Sequence, residues 1–185
     1  MPSNHPRVDL GAAPKIWTQG NLVMQMSHPD DAFALAPALR DVDKKELTLT
    51  WDGSADVGEL LQKSVEVSDV TYTISDTDGR IHGIWGHGPW LSGPVRPGLG
   101  YVWLVSDDEL FRKHGIAMTR HARNTVFPFL DRTYSAYGNF VLSENLVHAR
   151  WLLRGGFKRV APVQLFNESW GFYLRYGSSH RRLYV

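Results

Sequence analysis

Apolar positions along this chain follow two different periods, and each period predicts one kind of element. Alternating apolar and polar residues predict a strand, whereas apolar residues three or four positions apart predict one face of a helix. Strands are predicted at Asn21–Met26, Val70–Ile74, Arg80–Trp85, Tyr101–Val105, Ala136–Leu142, Lys158–Phe166 and Gly171–Tyr176. Helices are predicted from about residue 29, at Ser54–Val67, over about 107–130 and at Asn145–Arg154.

Proline and glycine set the limits of these elements. Pro37 should kink or divide the first helical pattern, because proline lacks the amide hydrogen that a helix interior needs. Residues 76–79 read Asp-Thr-Asp-Gly and predict a hairpin turn. Glycine and proline are dense between residues 86 and 100, which predicts a long surface loop of the kind that often carries function. Residues 1–20 contain few large apolar side chains and are expected to form an extended arm.

The order of these elements, β-α-α-β-β-β-α-β-α-β-β, defines the fold class. It is typical of an α+β, or mixed α/β, domain built on one twisted sheet with helices packed against it. We expect about six to seven strands and about four helices in a single domain over residues 21–185, preceded by the N-terminal arm. A chain of 185 residues is long enough for one compact domain and too short for two comfortable ones.

Composition excludes several classes of function. The net charge is +1, so no bulk field attracts the whole molecule to nucleic acid or to an anionic membrane. The absence of cysteine removes disulfides, thiolate nucleophiles and cysteine-ligated metals, and fits a chain made in a reducing cytosol. No apolar run approaches the roughly 18 residues of a membrane span, and the start lacks the apolar centre of a signal peptide. We therefore expect a soluble, unexported protein without a membrane partner.

One stretch near the C-terminus carries a family resemblance. Residues 145–157 read NLVHARWLLRGGF, which predicts a helix that begins at an Asn and runs into Gly-Phe at the next strand. Together with the order of elements over about residues 20–176, this stretch resembles the GCN5-related N-acetyltransferase (GNAT) family. The resemblance implies the GNAT fold, in which a strand, two helices and a three-strand meander precede a helix, a strand, a helix and a closing hairpin.

Two further segments point to a narrower branch of that family. LAPALRDVDKKEL in the first helices and WLVSDDELFRKH after the fourth strand resemble acetyltransferase-like proteins of tailed bacteriophages, some of which are called internal virion proteins. The resemblance implies a virion protein made in the cytoplasm of the bacterial host. Its partners would be other head, tail or internal core proteins, present in multiple copies. Nucleic acid contact is possible but not predicted.

A possible cofactor segment lies at residues 112–117, which read RKHGIA. Enzymes of the family hold the pyrophosphate of acetyl-CoA with backbone amides at the start of the central helix, in a loop that reads Gln or Arg, two residues, Gly, one residue, Gly or Ala. Glycine lets the backbone approach phosphate, and the helix dipole favours the anion. If the chain is such an enzyme, the residues that bind acetyl-CoA are Arg112, Lys113, Gly115 and Ala117.

The preceding residues support a competing interpretation of the same segment. Ser106 and Glu109 have the spacing of a capping box, with a hydroxyl cap and a carboxylate three residues later. A helix that starts at Ser106 places Arg112 and Gly115 in its interior, where amides are already bonded. Three carboxylates would then occupy the place where a phosphate must come. We favour this second interpretation, and it predicts no cofactor.

The chemistry of acetyl transfer meets a second obstacle at Leu152. Enzymes of the family commonly carry a tyrosine there, which protonates the departing thiolate, and leucine has no proton to give. Three other tyrosines are candidate substitutes, although most buried tyrosines pack their ring: Tyr134, Tyr137 and Tyr173. Candidates by type for the base that deprotonates an amine are Glu109, Glu144, His82, His87 and His148. His148 better fits a helix cap or an interface, and no catalytic residue is assigned.

Other polar and aromatic clusters receive simpler interpretations. His82 and His87 lack ligand spacing and a third ligand, so no metal is expected. A basic helix face could contact DNA phosphates or an acidic neighbour but more often is solvated; it comprises His114, Arg120, His121 and Arg123. Trp85 and Trp103 could line a pocket near the glycine-rich loop. Trp151 is assigned to the core. The interface candidates are Trp90, Arg96, His180, Arg181, Arg182 and Tyr184.

Two hypotheses from different classes follow. The preferred one is a non-catalytic virion component on an acetyltransferase-like scaffold, which binds other particle proteins through its arm, its Trp-containing loop and its C-terminal tail. The alternative is an active N-acetyltransferase that depends on acetyl-CoA. Fold alone does not distinguish them.

Overall fold

The computed structural model describes residues 16–51, 55–90 and 98–178, and its centre is an eight-stranded sheet. The strands are β1 (Ile16–Gln19), β2 (Leu22–Met26), β3 (Val70–Asp76), β4 (Ile81–Pro89), β5 (Leu99–Ser106), β6 (Ala136–Leu142), β7 (Lys158–Leu165) and β8 (Glu168–Tyr176). They lie in the order β1-β2-β3-β4-β5-β6-β8-β7. The number of strands exceeds the predicted six to seven, and the fold class is the predicted one.

Helices cover both faces of this sheet. They are α1 (Asp30–Leu35), α2 (Asp41–Thr50), α3 (Val57–Val67), α4 (Asp108–His121), α5 (Phe127–Thr133) and α6 (Leu146–Arg154). A π-helical turn at Ala122–Val126 joins α4 to α5, so the predicted helix over about 107–130 is one continuous helical element. None of the helices within the described ranges combines the length and the apolar character needed to cross a bilayer.

Alternation along the central strands divides the core into two layers. Trp85 and Leu104 face one side, where they join a cluster with Leu152 and other residues of α4, α5 and α6. Ile84 and Val105, their neighbours in sequence, face the other side and pack with residues of α1, α2 and α3. Successive side chains of a strand point to opposite faces, so each of these strands contributes to both layers.

The first helical pattern divides where Pro37 predicts. α1 ends at Leu35, a 3-10 turn occupies Ala36–Ala38, and α2 begins only at Asp41. The interruption aims Arg40 and the start of α2 at the C-terminal end of β5, where the backbone amide of Arg40 donates to Ser106 O at 3.1 Å.

Three boundaries differ from the predictions. Residues 16–19, predicted as part of an arm, pair as β1 with β2, because Trp17 packs against the core. The predicted loop over 86–100 is shorter, since β4 runs to Pro89 and β5 begins at Leu99. The last strand begins at Glu168 rather than Gly171, after a tight turn in which Phe166 and Asn167 have positive φ angles of 54° and 61°.

The contact between β5 and β6 is the feature that positions a site. These strands are parallel, whereas all other neighbours in the sheet are antiparallel. Only three residue pairs join them: Leu99 with Ala136, Gly100 with Tyr137, and Tyr101 with Gly138. Both strands continue beyond these pairs without pairing to each other. A cleft therefore opens between them toward their C-terminal ends.

Candidate functional site

Helix α2 closes the C-terminal end of the cleft between β5 and β6. The amide of Ser106, the last residue of β5, donates to Asp43 Oδ2 at 3.0 Å. The amide of Leu142, the last residue of β6, donates to Glu46 Oε1 at 2.8 Å. With Ser106 O bonded to the amide of Arg40, backbone groups at both strand ends are already paired within the chain.

These side chains belong to a buried network, here called the buried tie, formed by Arg40, Asp43, Glu46, Asn145 and His148. The guanidinium of Arg40 donates to Asp43 at 2.7 and 3.1 Å and to Asn145 Oδ1 at 3.2 Å. Asn145 Nδ2 donates to Asp43 Oδ1 and to Glu46 Oε1, both at 3.1 Å. Asp43 is completely buried and Arg40 is 8% exposed. The tie therefore joins α2, both strand ends and α6 through charge-assisted hydrogen bonds.

The protonation state of His148 follows from its burial. Burial lowers the pKa of His148 to about 4, so its ring is neutral near pH 7. A neutral ring can accept a hydrogen bond, and Nε2 lies 2.8 Å from Nη2 of Arg40. The structure thus places His148 inside the tie, and its predicted role as a cap or an interface residue is wrong. The cap of α6 is Asn145, whose Oδ1 accepts from the amide of His148 at 3.4 Å.

The two acids of the tie were missed from the sequence, although one signal was present. Asp43 lies four residues after Leu39 and four before Leu47, so it falls in the apolar stripe of α2. A carboxylate in such a stripe requires a buried partner. The partner residues in α6 lie about 100 positions away in sequence, and no local pattern reveals them.

An open cavity of about 530 Å³ lies on the α2 and α3 side of the diverging strands. Six aromatic side chains line it, from α2 or its end, β4, β5, β6 and β8: Trp51, Trp90, Tyr101, Trp103, Phe140 and Trp170. Glu46 is the single charged side chain among the described residues that line it. We call this space the aromatic cavity.

Three of the four indole nitrogens in the cavity are already paired within the protein. Trp51 Nε1 donates to Ser64 Oγ at 3.0 Å, and Trp103 Nε1 donates to Ser68 Oγ at 2.9 Å. Trp170 Nε1 donates to a backbone carbonyl at 3.1 Å. At these three residues a ligand would meet ring surfaces rather than indole donors, and such surfaces attract apolar groups and cations.

Glu46 adds a titratable group to this cavity. Burial, and secondly the nearby carboxylate of Asp43, raise the pKa of Glu46 to about 8. Its Oε1 accepts both of its hydrogen bonds, from Leu142 and from Asn145. A cation that enters the cavity would favour the ionised carboxylate and would release a proton near neutral pH.

The predicted cofactor segment lies inside α4. The helix begins at Asp108, and Asp107 caps it by accepting the amide of Leu110 at 2.9 Å. Asp107, not the predicted Ser106, is the cap residue, because Ser106 still belongs to β5 and pairs with α2. Arg112, Lys113, Gly115 and Ala117 occupy the second and third turns of α4.

Charges at the start of α4 are also paired within the chain. Glu109 accepts from Lys113 at 2.8 Å and from Arg112 at 3.3 Å, and it pairs with Arg80 at 3.3 Å. With the cap residue Asp107 and with Asp108, it places three carboxylates at the start of α4, where the helix dipole stabilises them. Asp107 and Glu109 are already paired with cations of the chain, and a pyrophosphate would have to displace them.

The tyrosines are committed to packing. Tyr134 and Tyr173 are buried, and Tyr134 Oη lies 3.0 Å from Nδ1 of the buried His87. Tyr137 is fully buried and donates to Asp131 Oδ1 at 2.9 Å. Leu152 is buried in the core on the α6 side. Among the described residues that line the aromatic cavity, the tyrosine is Tyr101, which no sequence pattern singles out.

The other candidate bases and metal ligands have polar partners within the chain. His82 Nδ1 lies 2.8 Å from Asp107, and its Nε2 lies 3.5 Å from Asp76. Exposed Glu144 pairs with Lys45 at 3.0 Å. Two groups of side chains lie close enough together to hold a metal ion: Asp43, Glu46 and His148, and His82, Asp107 and Glu109. In both groups arginine already neutralises carboxylates, which disfavours a cation.

The structure also locates several of the remaining residues that the sequence singles out. His121 is buried and stacks on Trp17 at 4.1 Å, so it does not belong to a solvated basic face. Trp90 lines the aromatic cavity and contacts Phe140 and Phe172. Trp151 packs against the core, and Trp85 is buried in it. The remaining interface candidates lie outside the described residues: Arg96, His180, Arg181, Arg182 and Tyr184.

Comparisons with known proteins bear on the fold. The sequence matches no family model and no curated protein. Ribosomal-protein-S5-alanine acetyltransferase from Vibrio fischeri aligns over 88% of this chain and 97% of its own, with a TM-score of 0.61 and 14% identity. The fold is the GNAT fold. A GCN5-related N-acetyltransferase from Kribbella flavida covers 84% of this chain and 98% of its own, with a TM-score of 0.60 and 15% identity, so the GNAT fold accounts for most of the described residues.

A third neighbour with the GNAT fold is AAC(6')-Ib, solved with ribostamycin and coenzyme A. It aligns over 90% of this chain and 99% of its own, with a TM-score of 0.60 and 14% identity. All three neighbours are described as acetyltransferases and none as a phage or virion protein. At these identities the likeness extends to the fold alone.

Proposed function

We propose that this chain is a binding protein on the GNAT fold that does not use acetyl-CoA. The observation that carries the proposal is the buried tie across the C-terminal ends of β5 and β6. An extended ligand that threads between two diverging strands needs their free backbone groups. Those of Ser106 and Leu142 are bonded to carboxyl groups of α2, and a hydrogen bond to a charged group contributes about 1.5–3 kcal/mol.

Two further features of the chain support this proposal. The first turn of α4 carries two carboxylates and is capped by a third, that of Asp107, so it offers an anion little attraction. Leu152 is a core residue and supplies no proton for a thiolate. Each feature by itself would weaken acetyl transfer, and together they oppose binding of the cofactor and the chemical step.

We propose that the ligand is a basic side chain of a partner protein, held in the aromatic cavity. The ring surface of Trp103 attracts a cation, and Glu46 supplies the opposite charge. The ring of Trp51 already holds a cation of the chain, since Lys63 Nζ lies 4.4 Å from its centroid. The volume of about 530 Å³ exceeds what one lysine side chain fills, so neighbouring partner residues would enter as well. The sequence segments that resemble phage proteins support a virion partner and a virion location.

An active acetyl-CoA-dependent N-acetyltransferase is the second candidate, and the comparisons favour it. AAC(6')-Ib is described in complex with coenzyme A and an aminoglycoside, a ligand rich in amines. In this candidate Arg112, Lys113, Gly115 and Ala117 form the cofactor segment, and the first turns of α4 must unwind to free their amides. Glu46 would be the base by position, since it faces the cavity and the pKa of its carboxyl is raised to about 8.

One pair of binding measurements distinguishes the candidates. Acetyl-CoA at a hundredfold excess over a micromolar dissociation constant would stabilise a binder by about 2.7 kcal/mol and raise the melting temperature by a few degrees. We expect no shift. A shift that the Gly115→Trp variant abolishes would show that acetyl-CoA binds at this segment and would refute the proposal that the chain does not use it.

The second measurement follows tryptophan fluorescence during titration with n-butylammonium and with neutral n-butanol. We expect the ammonium to bind more tightly than the alcohol, with an affinity that rises from pH 6.5 to pH 8.5 as Glu46 ionises. Glu46→Gln should remove the preference and the pH dependence, whereas Glu59→Gln, an exposed glutamate of α3, should not. Equal binding of both probes to the parent protein would refute the cation site.

A further inference from the structure

The small net charge of the chain conceals a strong separation of charge. Nine of its 20 Lys and Arg residues but only two of its 19 Asp and Glu residues fall between positions 110 and 165. This stretch therefore carries +7, and the rest of the chain carries −6. The stretch contains most of α4, all of α5 and α6, and the edge strand β7.

The two helical layers carry opposite charge. Helices α1, α2 and α3 contain seven acidic and three basic side chains. The helical element over 108–133 and α6 together contain three acidic and seven basic side chains. Because the layers cover opposite faces of the sheet, one face of the molecule is negative and the other is positive. Such a field attracts polyanions to the positive face.

A hollow on the positive face concentrates this charge. It has a volume of about 290 Å³ and is lined by Gly115, Ile116, Thr119, Arg120, Arg123, Asn124 and Arg154. The space beside Gly115 is open: a Cβ built on this residue would have no neighbour nearer than Phe111, at 3.8 Å. The three arginines are exposed, and none forms an ion pair with a described residue.

The chemistry of these side chains suits a polyanion. Planar guanidinium groups bind the oxygens of phosphates and of carboxylates in pairs, and three of them around one hollow on a positive face fit a phosphodiester chain, which carries a charge at every unit. Exposed Arg150 lies one helical turn before Arg154 and extends the charge along α6. From this arrangement we propose that the α4–α6 face binds the phosphate backbone of nucleic acid without reading its sequence, with the hollow at Gly115 as its centre.

The proposal does not depend on the aromatic cavity or on the buried tie, which lie elsewhere in the fold. The sequence left nucleic acid contact possible but did not predict it, because the net charge is small and a basic helix face is more often solvated. A sum over the chain does not detect a separation between faces, whereas the placement of α4 and α6 in one layer does.

Fluorescence anisotropy of a labelled 20-base-pair duplex at 50 to 300 mM NaCl tests the proposal. We expect binding that weakens with salt, since each neutralised phosphate contributes roughly 0.9 to the slope of log affinity against log salt. Changing Arg120, Arg123 and Arg154 together to alanine should lower that slope by roughly 3 and weaken binding more than tenfold at 50 mM NaCl. The matched control changes three lysines on the opposite layer, Lys44, Lys45 and Lys63, and should leave the slope unchanged.

Three results would overturn the proposal. The first is no binding of the duplex at 50 mM NaCl, and the second is equal binding by the triple arginine variant. The third is binding of polyglutamate as tight as that of the duplex, because that result would indicate an acidic protein partner. Sedimentation velocity adds a fourth, because salt-sensitive self-association without duplex binding would make the acidic face of a second copy the partner. Melting temperatures are measured for every variant, because Arg154 also stabilises the last turn of α6.

Discussion

At the scale of single residues, Asp43 has the greatest influence on the site. It is completely buried and accepts hydrogen bonds from Arg40, from Asn145 and from the backbone of Ser106. Its charge compensates that of Arg40, which is itself buried. The stability of the tie therefore rests on the pair rather than on either residue.

Asp43→Asn tests this dependence. The amide preserves the size of the side chain but leaves the guanidinium of Arg40 without its counter-charge, which costs about 3–5 kcal/mol for a buried pair. Urea denaturation of the variant should show a loss of at least about 2 kcal/mol. The control Asp41→Asn changes a fully exposed acid of the same helix and should stay within about 0.5 kcal/mol of the parent. Equal stabilities would mean that Arg40 finds solvent or another acid.

At the scale of elements, the start of α4 decides between a helix interior and a phosphate loop. Residues 112–117 satisfy a loop pattern in sequence, yet the structure holds them in the second and third turns of a helix. The cap at Asp107 and the pairing of Ser106 with α2 fix the first turn, and the rest of the helix follows from it.

The Gly115→Ala variant tests whether residue 115 lies in a helix interior. In a helix interior with open space around the glycine, alanine should raise the free energy of unfolding by about 0.5–1 kcal/mol. A cofactor loop that needs the close approach of glycine would gain nothing. Gly138→Ala is the opposing control, because its Cβ would lie 2.5 Å from Tyr173 O, and overpacking costs about 1–3 kcal/mol. A loss of stability in Gly115→Ala would contradict the helical placement.

Local patterns in the sequence were sufficient for most elements and insufficient for the site. The division at Pro37, the cap at Asn145 and the strands β3, β6 and β8 depend on neighbours within a few residues, and their type was predictable. The tie and the aromatic cavity join residues from α2, β5 and α6. Such contacts form only after the chain folds, so spacing in sequence carries no record of them. Asp43 alone left a signal, as a charge in an apolar stripe.

At the scale of the whole molecule, buried titratable groups shape the dependence of stability on pH. Burial lowers the pKa of His87, His121 and His148 to about 4 each, below the ordinary value of 6.5. The unfolded chain binds more protons at these sites between pH 4 and 6.5, so stability rises with pH in that window. Glu46 acts in the opposite sense, because its folded pKa of about 8 exceeds the ordinary 4.5. Its contribution falls as pH rises from about 4.5 to 8.

The two effects predict maximal stability near pH 6 to 7. Chemical denaturation at half-unit steps from pH 4.5 to 9 measures the curve. Glu46→Gln, which resembles the protonated acid, should flatten the fall above pH 7 and make the rise below pH 6 steeper, because the opposing titration of Glu46 is removed from both ranges. A variant whose stability still declines between pH 7 and 8.5 as the parent does would show that another group titrates there.

The short contact between β5 and β6 has a mechanical consequence. Because β1 and β7 are the two edges of one sheet, a load applied across the sheet passes through each strand pairing in turn. The pairing between β5 and β6 is the weakest, with three residue pairs, whereas the neighbouring pairing between β4 and β5 has seven. Under tension the sheet should tear first between β5 and β6, into a five-stranded and a three-stranded piece. The side chains of α2 that accept hydrogen bonds from both strand ends should hold the two pieces together and delay their separation.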